Sequence, residues 1–458
     1  MRPSAANTVF LSSAFRHSAR LGLLLCMCGL IGCGKTGEEP LGIPADLARY
    51  ATLPHLQETH HPALQSELSR IICAKGTPAL LQSSSAARPA DATGSGKIDG
   101  QGPESPTGLA DVFSPEAVAA ITSRLERIFP TDNLEFSGLK LREAIELRQT
   151  YDGLRQRARQ KLADPEFRFA VQHSYGLALD TTFVDTARVA SRLEAIHAVE
   201  SLHRDAPRGA LEPLAIMLQI AEAMGRVKHV VPRIAAVQRR AEAFRLLEAI
   251  VTHARCEVSD QRRLATMLRG QLDRWPPDKD AWIGDRAQGM HTYELIRDGY
   301  LLSVLSHEEI RQYRREVGIA KLGKMVAANL DQDELFYLKA MRKVIEISDS
   351  PFEQRQKFFR TMANDLEQLR ATPAYPLVAD QILLLDIESG HRLQALDRAR
   401  CEAWWLALSL AVNDPVDEDL VNPLTGIRYI IERRPSRIVV DAIDPDRNAP
   451  PVEVPIRL

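Results

Sequence analysis

Between Phe113 and Val412 apolar residues recur every three to four positions along most of the chain, a spacing that predicts a succession of amphipathic helices. The first starts sharply. Ser114 stands as an N-cap, Pro115 takes the first helical position, and Val118, Ile121, Leu125, Ile128 and Phe129 form one stripe. Residues 137–162 predict a single long helix with Leu147, Tyr151, Leu154, Ala158 and Leu162 aligned. The same rhythm runs through 181–203, 210–227, 229–254, 259–275 and 376–412, and comparable stretches fill the intervals up to residue 411. Helices joined by short Pro, Asp or Gly breaks must stack to hide their stripes, so the expected fold is mainly α, an irregular helical array or bundle. No strict repeat period emerges.

The pattern changes at both ends. After Val412 the turn residues Asn422 to Gly426 lead into alternating segments: two strands over 427–443 about Pro435 and Ser436, then Val452, Val454, Ile456 and Leu458. A small C-terminal antiparallel β-element of about three strands is expected over 413–458. It should dock on the final helix, because an isolated hairpin is marginal in water. A first helix is expected over His55 to Ala74, and residues 75–110 read as a linker or loop, rich in Gly, Ser, Pro and Ala and nearly devoid of large apolar residues. The helical domain is therefore placed at 111–412, with 33–74 as tether and first helix.

The N-terminus carries two motifs in one stretch. Gly29, Gly34, Lys35 and Thr36 match the spacing of a phosphate-binding loop, which requires a strand before it and a helix after it. Pro40, Gly42 and Pro44 exclude that helix, so no nucleotide is expected. Upstream, Arg2, Arg16 and Arg20 precede the apolar run Leu21 to Gly32, with no acidic residue before Glu38. The run is well short of the roughly 20 residues needed to span a bilayer and fits a signal segment. Leu30, Ile31, Gly32 and Cys33 resemble the processing site of bacterial lipoprotein precursors. That resemblance implies removal of residues 1–32, acylation of Cys33 by palmitate-type chains, and attachment to a membrane of the cell envelope. Gly34, standing where Asp would favour the inner membrane, implies the outer membrane, with the body facing the periplasm.

Removing residues 1–32 takes three arginines from the 58 basic residues and none from the 60 acidic ones, leaving a formal net charge of about −5. That balance, with no basic stripe interleaved with aromatics, excludes a nucleic-acid partner. Of the six cysteines, Cys33, Cys73, Cys256 and Cys401 would remain. Their spacing argues against zinc, and the last three make either one disulfide with a leftover thiol or three isolated buried thiols.

Several constellations bear on chemistry. Glu388, Ser389 and Gly390 follow an apolar run and resemble the Glu-Ser motif of lytic transglycosylases, in which a buried carboxyl acts as acid. The G-L-M-Q that follows in that family is missing, and 70 residues after Glu388 are too few for its lysozyme-like domain. Glu200 with His203, Glu388 with His391 and His291 with Glu294 have the spacing of helix-borne metal ligands, with His203 on the side of Leu193, Ile196 and Val199. His55, His60 and His61 read as solvated. Asp444, Asp446 and Asn448 have the start of a calcium-loop spacing, but Ala449 replaces the required glycine and Pro455 the closing glutamate. No metal or other cofactor is therefore assigned. Trp404 and Trp405 are candidates for a partner groove.

The body around residues 259–290, with Asp285 where Glu is usual, and the tail residues Asn422, Pro423, Thr425, Gly426 and Tyr429 resemble uncharacterised planctomycete-type helical envelope proteins with a pseudopilin-like C-terminal tail. The resemblance implies an envelope location and carries no activity. The expected function is a membrane-anchored scaffold or interaction lipoprotein with a protein partner in the envelope. The alternative is a peptidoglycan-acting enzyme using Glu388.

Overall fold

The structure is a computed structural model that describes residues 109–128, 139–164, 167–169, 182–305, 307–441, 443–445 and 449–457. The signal segment, Cys33, the helix expected over 55–74 with its histidines, Cys73, most of the linker, Asp446 and Asn448 lie outside the described residues.

The described chain is mainly helical. It comprises α1 (Pro115–Ile128), α2 (Leu139–Thr150), α3 (Asp152–Leu162), α4 (Thr182–His203), α5 (Leu211–Gly225), α6 (Val230–Thr252), α7 (Val258–Asp273), α8 (Asp278–Arg297), α9 (His307–Glu316), α10 (Ile319–Ile347), α11 (Phe352–Leu369) and α12 (Ile387–Ala411). A three-stranded antiparallel sheet follows, in the order β1 (Ile430–Arg434), β2 (Arg437–Asp441), β3 (Val452–Pro455). The Ser114 cap forms as expected, its Oγ accepting from the Ala117 N–H at 3.2 Å. Buried order starts slightly earlier than residue 111, at a short 3-10 turn whose Leu109 is fully buried.

Two expected helices are each divided. The stripe over 137–162 breaks at Tyr151, whose N–H is shared between the carbonyls of Leu147 and Arg148 at 3.2 Å each. The break re-aims α3 so that Arg155 and Arg159 reach one carboxylate on α4, with Arg159 Nε 2.7 Å from Glu194 Oε1. The stretch 376–412 is divided by a π-helical turn (Ala379–Leu383) and by Asp386, which has a left-handed φ of 62°. Asp tolerates that region better than most residues. The carboxylate of Asp333 fixes the start of the turn by accepting the N–H groups of Val378 and Ala379, both at 2.8 Å.

The buried apolar residues form two clusters that meet along α4, whose Leu193 and Ile196 belong to one and whose Ala195 and Ala198 belong to the other. The first lies among α1 to α6, and the second runs from α4 through α12 into the sheet. α12 is buried on most of its circumference, covered by α6, α7, α11 and strands β2 and β3.

The sheet sits on α12 as expected. β1 and β2 pair in the register Arg434↔Arg437 across Pro435 and Ser436, and Ile438, Val440, Val452 and Val454 face the core. The apolar face assigned to 427–431 is only partly inward: Tyr429 is buried and Ile431 half-buried, but Ile427 is 53% exposed. The turn motif has a structural task. Asn422 Oδ1 accepts the Leu424 N–H at 2.7 Å and its Nδ2 donates to the Ile443 carbonyl at 3.1 Å, while Gly426 supplies a φ of 73°. The carbonyls of Pro423 and Leu424 accept the N–H groups of Phe352 and Glu353, which a helix start leaves without intrahelical partners. Tyr429 Oη donates to Glu402 Oε2 at 2.9 Å, tying the motif to α12.

Candidate functional site

A line of acidic and aromatic side chains runs along one buried or half-buried face of α8. Asp278, Trp282, Asp285, Gly289 and Tyr293 follow one another at intervals of three and four residues, so they share a face, and that face meets α10, α11 and α12. Asp278, Trp282 and Tyr293 each have a side-chain partner distant in sequence.

At the first position, both terminal nitrogens of Arg355 on α11 lie 3.2 Å from Asp278 Oδ2, and Arg355 Nε donates to the Ser350 carbonyl at 2.6 Å. Nη1 of the same guanidinium lies 3.1 Å from His391 Nδ1. A guanidinium can only donate, so Nδ1 accepts and the imidazole is neutral with its proton on Nε2. Burial and then the Arg355 charge hold the His391 pKa well below the ordinary imidazole value, which agrees with that assignment. The His391 ring stacks on Trp282 with centroids 4.3 Å apart and planes 3° from parallel, and Phe359 closes the other side at 5.1 Å. Trp282 Nε1 donates to Gln394 Oε1 at 3.0 Å. Gly390 admits the indole to the α12 backbone, because a Cβ there would stand 2.7 Å from Trp282 Cη2. Two buried nitrogens on this face of α12, His391 Nε2 and Gln394 Nε2, have no hydrogen-bond partner among the described residues.

Further along, Tyr337 of α10 donates to the Asp285 carbonyl at 3.2 Å, and its ring lies where a side chain at Gly289 would have to go. Tyr293 donates to Asp333 Oδ1 at 2.6 Å. Burial raises both phenols well above their ordinary range, so they stay protonated donors. Asp285 is unlike the other acids of the seam. It is half-buried, no cation offsets the loss of hydration around its carboxyl, and its pKa is pushed up to about 7. The neighbouring Arg286 is lowered by the same burial. The seam thus holds one carboxyl able to exchange a proton near neutrality. It presents no Ser or Cys nucleophile beside a base, and among the described residues no group of three His, Cys, Asp or Glu is placed to hold a metal.

The residues singled out in the sequence fall elsewhere or in other roles. Glu388 is exposed on the first turn of α12, at the start of a helix rather than the end of one, so it lacks the buried setting of a catalytic acid. It does not share a site with the fully buried His391. Glu200 is buried and pairs with Arg148 at 3.0 Å and Arg204 at 2.5 Å, whereas His203 is exposed and does not join the apolar side of α4. His291 is half-buried and Glu294 exposed. Asp444 is buried and its two oxygens take Arg392 Nη2 at 2.7 and 2.6 Å, so a guanidinium occupies the place proposed for a cation. Cys256 and Cys401 are both buried free thiols. Burial pushes the Cys256 thiol up to about 11 and raises Cys401 further, leaving both protonated and unreactive at neutral pH. Trp404 and Trp405 are both buried, with the Arg269 guanidinium 5.0 Å from the Trp405 ring centroid, and form no open groove.

The sequence reading assigned the seam no role. Its members are ordinary residues taken singly; the available signal is the recurrence of Asp278, Trp282, Asp285 and Gly289 on one helical face. Fold and seam together define a helical body closed by a small antiparallel sheet. Compared with known proteins, the chain matches no family model, no curated protein and no solved structure.

Proposed function

We propose that this chain is a lipid-anchored bacterial envelope protein, most simply of the outer membrane and facing the periplasm, whose helical body is a non-enzymatic scaffold for a protein partner. The observation that carries the reading is the N-terminal series of Arg2, Arg16 and Arg20, the apolar run Leu21 to Gly32, and Leu30-Ile31-Gly32-Cys33 at its end. Acyl chains on Cys33 would each contribute about 0.8 kcal/mol per buried CH₂, enough in combination to hold the chain to a bilayer. Among the described residues no helix is long and apolar enough to cross a membrane, so in this reading attachment rests on Cys33. The scaffold role draws support from the seam and the surrounding ion pairs, which tie helices together and supply no complete catalytic set. Wall hydrolysis through Glu388 has less support, because that carboxyl is exposed.

The test is expression of the chain and of Cys33→Ser in a Gram-negative host, with metabolic labelling by a fatty-acid analogue and membrane fractionation. The parent chain is expected to incorporate label, lose residues 1–32 and sediment with membranes, and Cys33→Ser to take no label and stay unprocessed or become soluble in the periplasm. Label-free, uncleaved parent protein in the cytosol overturns the anchor. Muramidase activity on purified peptidoglycan that disappears in Glu388→Gln overturns the non-enzymatic role.

A further inference from the structure

The outer face of α10 carries exposed lysines with apolar side chains between them. Several exposed arginines of the described surface are held by nearby acids, as in Arg208 with Glu257, Arg255 with Asp205, Arg433 with Glu418 and Arg437 with Glu453. On α10, Lys321, Lys324 and Lys339 are exposed, recur at helical spacing on one side, and make no ion pair among the described residues. Lys343 continues the line and meets Glu346 at 3.3 Å. The nearby carboxylates are already engaged: Asp331 is half-buried and bound to Arg297 at 2.8 Å, and Asp333 and Glu334 are buried. From Lys321 to Lys343 the stripe is about 33 Å long at 1.5 Å per residue. Apolar groups lie between the lysines: Met325 is 43% exposed, and Leu335 and Phe336 are half-buried.

We infer that this face lies against the anionic headgroups of a phospholipid bilayer. Lysine suits that contact, since its flexible stem lies along apolar surface while the ammonium reaches a phosphate. The side chains of Met325, Leu335 and Phe336 offer the apolar contact at the headgroup boundary that a purely polyanionic partner would not use. Charge complementarity selects the occupant: a row of unpaired ammonium groups on a chain that is acidic overall needs a surface of opposite sign. The inference rests on the lipid-anchor reading only for the reason a bilayer is close by; the contact itself is a property of α10.

The test therefore uses the mature chain, residues 33–458, carrying Cys33→Ser, so that neither an acyl anchor nor the cationic apolar segment 1–32 contributes. Sedimentation is measured with vesicles of phosphatidylethanolamine and phosphatidylglycerol at three to one, and with pure phosphatidylcholine, at 20 and 150 mM salt. Binding to the anionic vesicles only, weaker at the higher salt, is expected. Lys321→Glu/Lys324→Glu/Lys339→Glu should lower the vesicle affinity on the order of 100-fold. Lys140→Glu/Lys228→Glu/Lys357→Glu, which makes the same change of net charge at exposed lysines elsewhere, should bind as the parent does. Absence of binding at 20 mM salt overturns the inference, as does equal loss in the two triple variants. Binding to soluble poly-glutamate with none to vesicles assigns the face to an acidic protein instead. Failure of the fatty-acid labelling above with vesicle binding intact would remove the anchor and leave the face standing.

Discussion

Replacing Asp285 by Asn should change how the stability of the protein depends on pH. In the unfolded chain this carboxyl titrates near 3.8, and in the folded protein burial without a counter-charge pushes it up to about 7. Between those values the unfolded state is ionised while the folded state keeps its proton, so folding takes up a proton and stability falls as pH rises. Below pH 3.8 the group has no effect of this kind, and above about 7 the loss is complete and constant. At about 1.36 kcal/mol per pH unit the full loss is about 4 kcal/mol. That figure is a ceiling, because Asp285 is only half-buried and water reaches part of it. Asparagine keeps the shape and cannot titrate. Urea unfolding of both proteins at pH 5, 6, 7 and 8 should show a difference that grows by up to about 2 kcal/mol in favour of the variant between pH 5 and 7, then levels off. Asp397, raised to about 6 by burial, titrates in both proteins and cancels in the comparison. A difference independent of pH would refute the reasoning, showing that the Asp285 carboxyl is hydrated or paired in solution.

Truncation after Val421 should lower the melting temperature and open dye-binding surface, since it uncovers the part of α12 beneath Ile438, Val440, Val452 and Val454 and removes the Tyr429 bond to Glu402; burial of each such apolar side chain is worth about 1.5–3 kcal/mol. An unchanged melting curve would show that the sheet is not a structural cap. Gly289→Ala should destabilise by at least 1–3 kcal/mol despite the roughly 1 kcal/mol gain in helix propensity, because the new methyl collides with the Tyr337 phenol; chemical denaturation giving a stability equal to the parent would contradict the α8–α10 packing. Asp444→Asn should cost about 3–5 kcal/mol by leaving the Arg392 guanidinium, itself largely buried, without its carboxylate, and millimolar calcium should not alter the melting temperature of either protein; stabilisation of the parent by calcium would restore the cation reading of that loop.

Where the sequence could be read, local chemistry was in control. Ser114 and Pro115 start α1 through interactions within one turn, and the alternation around Pro435 and Ser436 dictates a hairpin whichever surface receives it. The two helical breaks lay beyond that reach. Nothing near Asp386 announces a left-handed residue inside an apolar run; the turn before it is held by Asp333, which caps Val378 and Ala379 from another helix. At Tyr151 the stripe of apolar positions continues unbroken, and the cause of the turn lies on α4, in a carboxylate that takes both Arg155 and Arg159. The same reason hid the seam. Asp278 finds Arg355 and Trp282 finds Gln394 across 77 and 112 positions, and no spacing rule reaches that far.

The misread residues point the same way. Glu388 was judged by the apolar residues beside it in sequence, and a helix turns such neighbours to different sides within a single residue; His203 was placed by helical spacing, but it is the last residue of α4 and lies exposed at its end. His391, three positions after Glu388, is the member of that pair that the fold buries, and it is buried as a neutral acceptor between Trp282, Phe359 and Arg355. The tail motif shows what a pattern of this kind can carry. Asn422, Gly426 and Tyr429 are needed as those residue types because one closes a turn through its side-chain amide, one takes a positive φ, and one reaches a buried carboxylate. Each role is fulfilled inside the molecule. The motif therefore marks how the sheet is fastened to α11 and α12, and its residue types are accounted for by contacts within the molecule.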